Sequence, residues 1–410
     1  MKLLSETMLE RVVSALPVGA RVVCSGNCAT PGRVLGVVDE SLESYRLTVL
    51  NAQKGIPDRP GVTYETSFVG PGMRRSPRLN YVPARLSLVP QLFRTSLPPD
   101  LVLVQTSVPY EGTVSLGTEV NVLPAAIEAA RSRGGLVVAQ VNPSMPFTYG
   151  DAVIPVDQVD YGIEVDEPLP SPPSAVIEDA ARQIGELVAV RVSDGSTLQL
   201  GIGAIPDAAL RGLARRRDLR IWSEMISDGV LALEQRGALD RSVPVTASFM
   251  FGSPELYAWV DRNPRVRLLR TETTNDPARI RAHDLMVSID SALQVDLYAQ
   301  VNASRINGYI YSGFGGQTDF IVGALHSRGG QAVIALRSWH PKADCSTVVP
   351  MVEEPVTSFQ PTAVVTEHGV AEIFGRPERV QAENLIDRAA DPRVRAELWE
   401  EAAALGLADV

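Results

Sequence analysis

Glu224 stands in the segment Ser223-Glu224-Met225-Ile226-Ser227-Asp228-Gly229, between the strand-like run Leu219-Arg220-Ile221-Trp222 and the helical stretch Val230-Leu231-Ala232-Leu233-Glu234. Open α/β sheets bind ligands outside the carboxyl ends of their strands, and Glu224 occupies such an end. An acid there can act as a nucleophile, a base or a ligand-orienting group. The competing structural reading is an acid favoured by a helix N-terminus, a role that Asp228 suits better because it lies closer to the helix.

Two glycine-bearing segments could serve the same chemistry. Gln199-Leu200-Gly201-Ile202-Gly203-Ala204-Ile205-Pro206-Asp207 lies between a strand and a helix. Its glycines permit a tight turn whose amides approach a ligand, with Pro206 in the first helical turn. A dinucleotide fingerprint needs a third glycine where Pro206 stands, so NAD is disfavoured. A turn needed only to pack the helix on the strand is the alternative. The other segment, Tyr311-Ser312-Gly313-Phe314-Gly315-Gly316-Gln317-Thr318-Asp319-Phe320, holds three glycines in four positions, so successive N–H groups can converge on a phosphate or an oxyanion. It lacks a lysine at Walker A spacing, and the chain has no G-x-S-x-G elbow; nucleotide hydrolysis and serine hydrolysis are poorly supported.

These segments need a scaffold that ends strands beside helix starts. Short β-branched runs alternate with alanine-rich amphipathic stretches, the pattern of a parallel sheet covered by helices. Leu101–Gln105, Gly135–Val141, Leu198–Leu200, Arg220–Trp222, Leu285–Ile289 and Ala332–Leu336 read as strands, and Leu123–Ala130 as a helix. Four prolines within six positions end the stretch Glu164–Pro173 and deny it backbone donors, so it reads as a stiff linker. After it, Ser174 can cap a helix whose apolar positions Ile177, Ala180, Ala181, Ile184, Leu187 and Val188 follow 3.6-residue spacing. The fold class expected is α/β, with two tandem open α/β domains: an N-terminal one over 1–167, and a C-terminal one over 174–410 that carries Glu224.

Composition supports that scale. A chain of 410 residues exceeds one ordinary core, and two domains of roughly 200 residues each are expected. With 45% hydrophobic and 21% charged residues, disorder and fibrous repeats are excluded. The 38 basic and 48 acidic side chains give a net charge of −10, which offers no footprint for nucleic acid or an anionic membrane; an anionic ligand must be attracted by local groups. Cys24, Cys28 and Cys345, with four histidines, are too few and scattered for a disulfide framework or a zinc site, so no metal is expected. Cys24 and Cys28 read as small buried or turn residues. The start, Met1-Lys2-Leu3-Leu4-Ser5-Glu6, lacks a signal peptide's apolar core, and no run reaches the roughly 18 apolar residues of a membrane span. A soluble, cytoplasmic protein is expected.

Taken together, Gly201–Ala208, Ser223–Gly229 and Ser312–Phe320 resemble the acetyl-CoA hydrolase/transferase family, in the branch that includes 4-hydroxybutyrate, butyryl and acetate CoA-transferases. Ser288-Ile289-Asp290-Ser291-Ala292-Leu293-Gln294-Val295-Asp296-Leu297, Val364–Ala371 and Gln140–Pro146 are similar too, in the family's order along nearly the whole chain. The resemblance implies a CoA-transferase that exchanges CoA between an acyl-CoA and a free carboxylic acid. It implies that Glu224 attacks the thioester to give a mixed anhydride and then a glutamyl-CoA thioester, with Gly316 and Ile202 supplying oxyanion donors. Gly201, Ile202, Gly203, Ala204, Ile205, Asn275, Gly315, Gly316, Gln317 and Lys342 are the implied CoA-binding positions. A plain turn role competes for Asn275 and a solvated surface role for Lys342. Coenzyme A then enters as substrate rather than as a permanent cofactor, the partners are an acyl-CoA and a small carboxylic acid, and a homo-oligomer is expected. Two other functions stay open: an acyl-CoA thioester hydrolase on the same scaffold, and a CoA-binding protein without catalysis, against which the retained Glu224 and loop glycines argue.

The chain departs from the family pattern at several positions. Asp290 stands where asparagine is common, Ala299 where glycine is common, and Arg337-Ser338-Trp339-His340 replaces a Pro-Ser-Thr turn. Phe147 and Tyr149 replace an arginine and a histidine. If Phe147, Tyr149 and Trp339 face the pocket, their apolar surface favours a longer, branched or aromatic acyl-CoA over acetyl-CoA; repacking of a domain interface is the alternative.

Overall fold

The computed structural model describes residues 1–171, 178–201 and 203–409. In the first of two compact units, eight strands form one sheet: β1 (Lys2–Leu3), β2 (Ala20–Cys24), β3 (Tyr45–Val49), β4 (Val62–Thr66), β5 (Leu79–Tyr81), β6 (Leu101–Thr106), β7 (Leu136–Val141) and β8 (Tyr161–Glu164). Their order is β1-β8-β7-β6-β2-β3-β4-β5, and every neighbouring pair is parallel. A parallel sheet covered on both faces needs apolar residues at every position rather than at alternate ones. Strand β6 is accordingly buried along its whole length.

The second unit is built on six strands: β9 (Thr197–Leu200), β10 (Arg220–Ile221), β11 (Met286–Ser291), β12 (Gln331–Ala335), β13 (Ala363–Thr366) and β14 (Gly369–Glu372). The order is β10-β9-β11-β12-β13-β14, parallel except for the closing β13–β14 hairpin, which is where the motif Val364–Ala371 lies. Helices α1 (Asp179–Arg191), α2 (Ala204–Gly212) and α3 (Gln317–His326) belong to this unit. Helix α1 buries Ala181, Ile184 and Val188, as the spacing predicts; Ser174 and Ile177, the expected cap and first apolar position, lie outside the described residues.

The α/β class with parallel sheets is what the alternating pattern predicts, but chain continuity does not bound the units. The first takes Met1–Pro172, Pro244–Thr274 and Ile310–Gly315, and the second takes Pro173–Val243, Asn275–Tyr309 and Gly316–Val410. Distant ladder hydrogen bonds are the cause: Val266–Leu268 pairs in parallel with both Val245–Ala247 and Tyr149–Gly150, drawing a late segment into the first unit. The proline-rich stretch is fastened to that unit as well. Asn142 Nδ2 donates to the Glu167 carbonyl at 2.8 Å and the Tyr257 hydroxyl to the Pro170 carbonyl at 3.0 Å.

Cys24 and Cys28 are buried and unpaired, as read. Burial pushes the Cys28 thiol up to about 11 and the Cys24 thiol further, so neither is a thiolate at neutral pH. Among the described residues no helix is long and apolar enough to cross a membrane.

Helices α1 and α2 touch backbone to backbone. A Cβ on Gly185 would lie 2.6 Å from the Ala208 carbonyl carbon and 2.8 Å from its oxygen. Helix propensity alone makes Gly→Ala stabilising by about 1 kcal/mol, whereas overpacking a tight contact costs about 1–3 kcal/mol. Gly185→Ala is therefore expected to lower the midpoint of thermal or urea unfolding. A raised midpoint would show that the helices do not approach this closely.

Candidate active site

Glu224 stands three residues past the end of β10, and its neighbour Ser223 fixes where it stands. The Ser223 hydroxyl, fully buried, accepts the Leu200 N–H at 3.2 Å, tying this turn to the end of β9. Beyond Glu224, the Ser227 hydroxyl donates to Asp207 in the first turn of α2 at 2.9 Å. The residue is thus held at the carboxyl edge of the sheet by strand β9 and helix α2.

Two further groups close on its carboxyl. Asn275, fully buried, donates from Nδ2 to Glu224 Oε2 at 2.7 Å. In the sequence Asn275-Asp276-Pro277, Asp276 takes the turn role by accepting the Ala278 N–H at 2.8 Å, while the Asn275 side chain reaches the glutamate. Gly316, the N-cap of α3, supplies the other wall: a Cβ there would fall on Glu224 Oε2 and Asn275 Nδ2. Its φ of −98° is available to any residue. Glycine is required at 316 by the close approach, not by the backbone conformation.

Electrostatics set this carboxyl apart. Glu224 keeps part of its surface exposed, yet burial of the carboxyl pushes it up to about 7; the Asn275 hydrogen bond opposes the rise, and the negative charges of Asp319 and Asp290 add to it. Asp290 is itself buried, with Ser288 Oγ 2.6 Å from its Oδ2 and Gln199 Nε2 3.3 Å from its Oδ1. Burial raises it to about 6 against those two hydrogen bonds.

The other predicted site residues fall into four places. Gly201, Gly203, Ala204 and Ile205 form the turn from β9 into α2, where Gly203 takes a φ of +132° that a side chain would strain; Ile202 lies outside the described residues. Gln317 opens α3 and donates from Nε2 to the Ser291 carbonyl at 3.2 Å, locking the helix start to the end of β11. Gly315, with φ +55°, packs instead on Phe68 in the first unit, and Lys342 sits exposed in a hairpin turn.

Sequence reasoning missed the polar group formed by Gln199, Ser288 and Asp290. Its signal was the alternation of polar Ser288 and Asp290 along an otherwise apolar strand, which puts both on one face. Glu367, from the hairpin motif, accepts from the Ser338 N–H at 3.0 Å and hydroxyl at 2.7 Å, so it organises the 337–340 turn.

Comparisons with known proteins show which family the chain is similar to. The acetyl-CoA hydrolase/transferase N-terminal domain matches residues 16–177, and the acetyl-CoA hydrolase/transferase C-terminal domain matches residues 252–402. The 4-hydroxybutyrate coenzyme A transferase of Clostridium kluyveri is 36% identical over 415 aligned positions, covering 96% of each chain. The succinyl-CoA:cyclohexane-1-carboxylate CoA transferase of Geobacter metallireducens is 36% identical over 337 positions, covering 79% of this chain and 75% of its own. The crystal structure of 4-hydroxybutyrate CoA-transferase from Porphyromonas gingivalis matches with a TM-score of 0.83 at 34% identity, covering 98% of each chain.

The raised carboxyl makes a stability prediction. In the native state Glu224 holds its proton up to about pH 7, above its ordinary value of 4.5, so its contribution is fully present below the unfolded value and lost as pH rises through the folded one. Glu224→Gln stays neutral and keeps an oxygen for Asn275. The variant is expected to match wild type near its unfolded value and to exceed it by on the order of 2 kcal/mol at about pH 8. Equal unfolding midpoints at the higher pH would contradict a strained, buried carboxylate.

Proposed function

We propose that this chain, which belongs to the acetyl-CoA hydrolase/transferase family, moves CoA between an acyl-CoA and a free carboxylic acid through a covalent glutamyl-CoA thioester on Glu224. The observation that carries the proposal is the carboxyl itself, with Oε2 held by Asn275 at 2.7 Å and no side chain at Gly316 to cover it.

The geometry divides the work between the two oxygens. Oε1 attacks the thioester carbonyl, the C–S bond breaks, and CoA leaves as the thiolate; Glu224 and the acyl group now form a mixed anhydride. The thiolate next attacks the glutamyl carbonyl carbon, and the donor acid departs as its carboxylate with the bridging oxygen. During that attack Oε2 is the oxygen that gains negative charge, and the Asn275 N–H already points at it. An acceptor carboxylate then attacks the glutamyl thioester, and the released thiolate takes the new acyl group, regenerating the Glu224 carboxylate. Each intermediate is an activated acyl group, so exclusion of water decides between transfer and hydrolysis. Binding energy from the long CoA tail, remote from the reacting bond, can be used to orient it.

Acyl groups larger than acetyl are the proposed substrates. Support comes from the names of the two relatives, which specify 4-hydroxybutyrate and cyclohexane-1-carboxylate. Trp339 is a weak candidate for substrate contact, since Arg393 stacks on its ring at 3.6 Å and its Nε1 donates to Asp344 at 3.0 Å.

Incubation with an acyl-CoA and no acceptor is expected to leave CoA attached to the protein, visible by intact-mass spectrometry and localised to the peptide containing Glu224. Glu224→Ala should show no adduct. Gly316→Ala, which displaces the carboxyl from Asn275, should remain folded and lose about 10²- to 10³-fold in kcat, the usual loss for one oxyanion donor. An adduct that persists in Glu224→Ala would remove Glu224 from the nucleophile role. Repeating the assay over a panel of acyl-CoAs, with and without carboxylic acids, reads the acyl preference and separates transferase from hydrolase.

A further inference from the structure

The strand register sets Asp290 beside Glu224. Leu198 pairs with Ile221 across β9 and β10, and Leu200 with Ile289 across β9 and β11, an alignment that the Gly201 N–H continues by donating to the Ile289 carbonyl at 3.0 Å. Advancing along β11 places Asp290 in the row of Gly201; on the other side of β9 the chain past β10 runs alongside as far as Ser223, whose hydroxyl accepts the Leu200 N–H, and Glu224 comes next. Residues of one row in a parallel sheet face the same way. The middle residue has no side chain, and the atoms nearest to a Cβ there are 3.5 Å away or more, so nothing fills the space between the two carboxyls from the strand that separates them.

The contacts around Asp290 contain one hydrogen too few for a carboxylate. Ser288 Oγ lies 2.6 Å from Asp290 Oδ2 and 2.7 Å from Gln199 Oε1, and Gln199 faces its amide nitrogen to Asp290 Oδ1. A hydroxyl has a single hydrogen and cannot donate to both oxygens. Every contact is satisfied when Asp290 carries a proton and donates it to Ser288 Oγ, while the Ser288 hydrogen turns to Gln199. If Asp290 is ionised, Ser288 must turn toward it, and the Gln199 oxygen loses its donor.

We propose that Asp290 is a positioning residue for Glu224: held by Ser288 and Gln199 beside Gly201, it ionises in a coupled way with the nucleophile, the two carboxyls sharing a proton through their charges rather than through a hydrogen bond, so that a charge on one disfavours a charge on the other. This rests on the reading of Glu224 as the nucleophile and adds a reason for an acid where the family commonly has asparagine. Asp319 in the first turn of α3 also faces Glu224, and Asp207 in α2 is engaged by Ser227; both are unchanged in the variants below. Two interacting carboxyls titrate as a coupled pair, and removing one lowers the apparent pKa of the other.

The test is an infrared titration of the protonated-carboxyl band in wild type, Asp290→Asn and Glu224→Gln, with the pH profile of kcat/KM measured alongside. In Asp290→Asn the midpoint assigned to Glu224 is expected to fall by about one unit, and the acidic limb of the profile to move with it. By reciprocity, the Asp290 midpoint should fall in Glu224→Gln, which keeps the proposal testable if Asp290→Asn does not fold. Midpoints that stay at their wild-type positions in both variants would overturn it, even if unfolding temperatures change. The titration needs no turnover, so it is separable from the covalent reading: coupling without a CoA adduct removes only the glutamyl-CoA intermediate, and an adduct without coupling removes only the shared proton.

Discussion

A carboxyl drawn out of water at the edge of a parallel sheet is costly, and the second unit is arranged around that cost. Glu224 has one direct donor, Asn275, and no partner cation among the described residues. A surface glutamate of ordinary pKa is well hydrated and a poor nucleophile; in the proposed mechanism burial leaves little solvent to remove from this one before attack. The surrounding elements follow from the need to bring backbone close to it. Strand β9 is followed by Gly201, α3 is capped by Gly316 against the carboxyl, and α2 is held by the tight contact at Gly185.

The closeness of Glu224 to glycine turns was legible in the sequence, though not always for the reason the glycines are needed. Gly316 reads as part of an anion nest, yet its backbone is required because Glu224 and Asn275 occupy the space a side chain would take. Gly313 and Gly315 serve packing instead, since a Cβ on Gly313 would press on Ser67 and Phe68 and one on Gly315 on Phe68. Asn275 competed with its neighbour for a turn role, and only the hydrogen bond from Ala278 to Asp276 decides which residue does what. The interleaving of the units was not legible at all. It depends on Tyr149–Gly150 pairing with Val266–Leu268, and two short strands more than a hundred positions apart leave no periodic trace in either segment.

The family departures have distinct physical consequences. Ala299 adopts φ +59°, the left-handed conformation that glycine enters without strain, so this chain carries a conformational cost of roughly 1–2 kcal/mol there. Trp339 is absorbed by Arg393 and Asp344, while Phe147 packs edge-on between Tyr110 and Tyr149 with ring centroids 5.7 Å apart in each pair. Asp290 differs from these because it changes the charge, not the shape, of the site it borders.

Oxygen exchange tests the covalent account most directly. When an acceptor carboxylate attacks the glutamyl thioester and CoA then removes the new acyl group, the bridging oxygen stays on the enzyme. Turnover with an acceptor acid labelled with oxygen-18 in both carboxyl positions should therefore transfer heavy oxygen to the peptide containing Glu224, and to no other, with the label appearing only when acyl-CoA is also present. An unlabelled Glu224 peptide after many turnovers would mean that acyl transfer bypasses the glutamate.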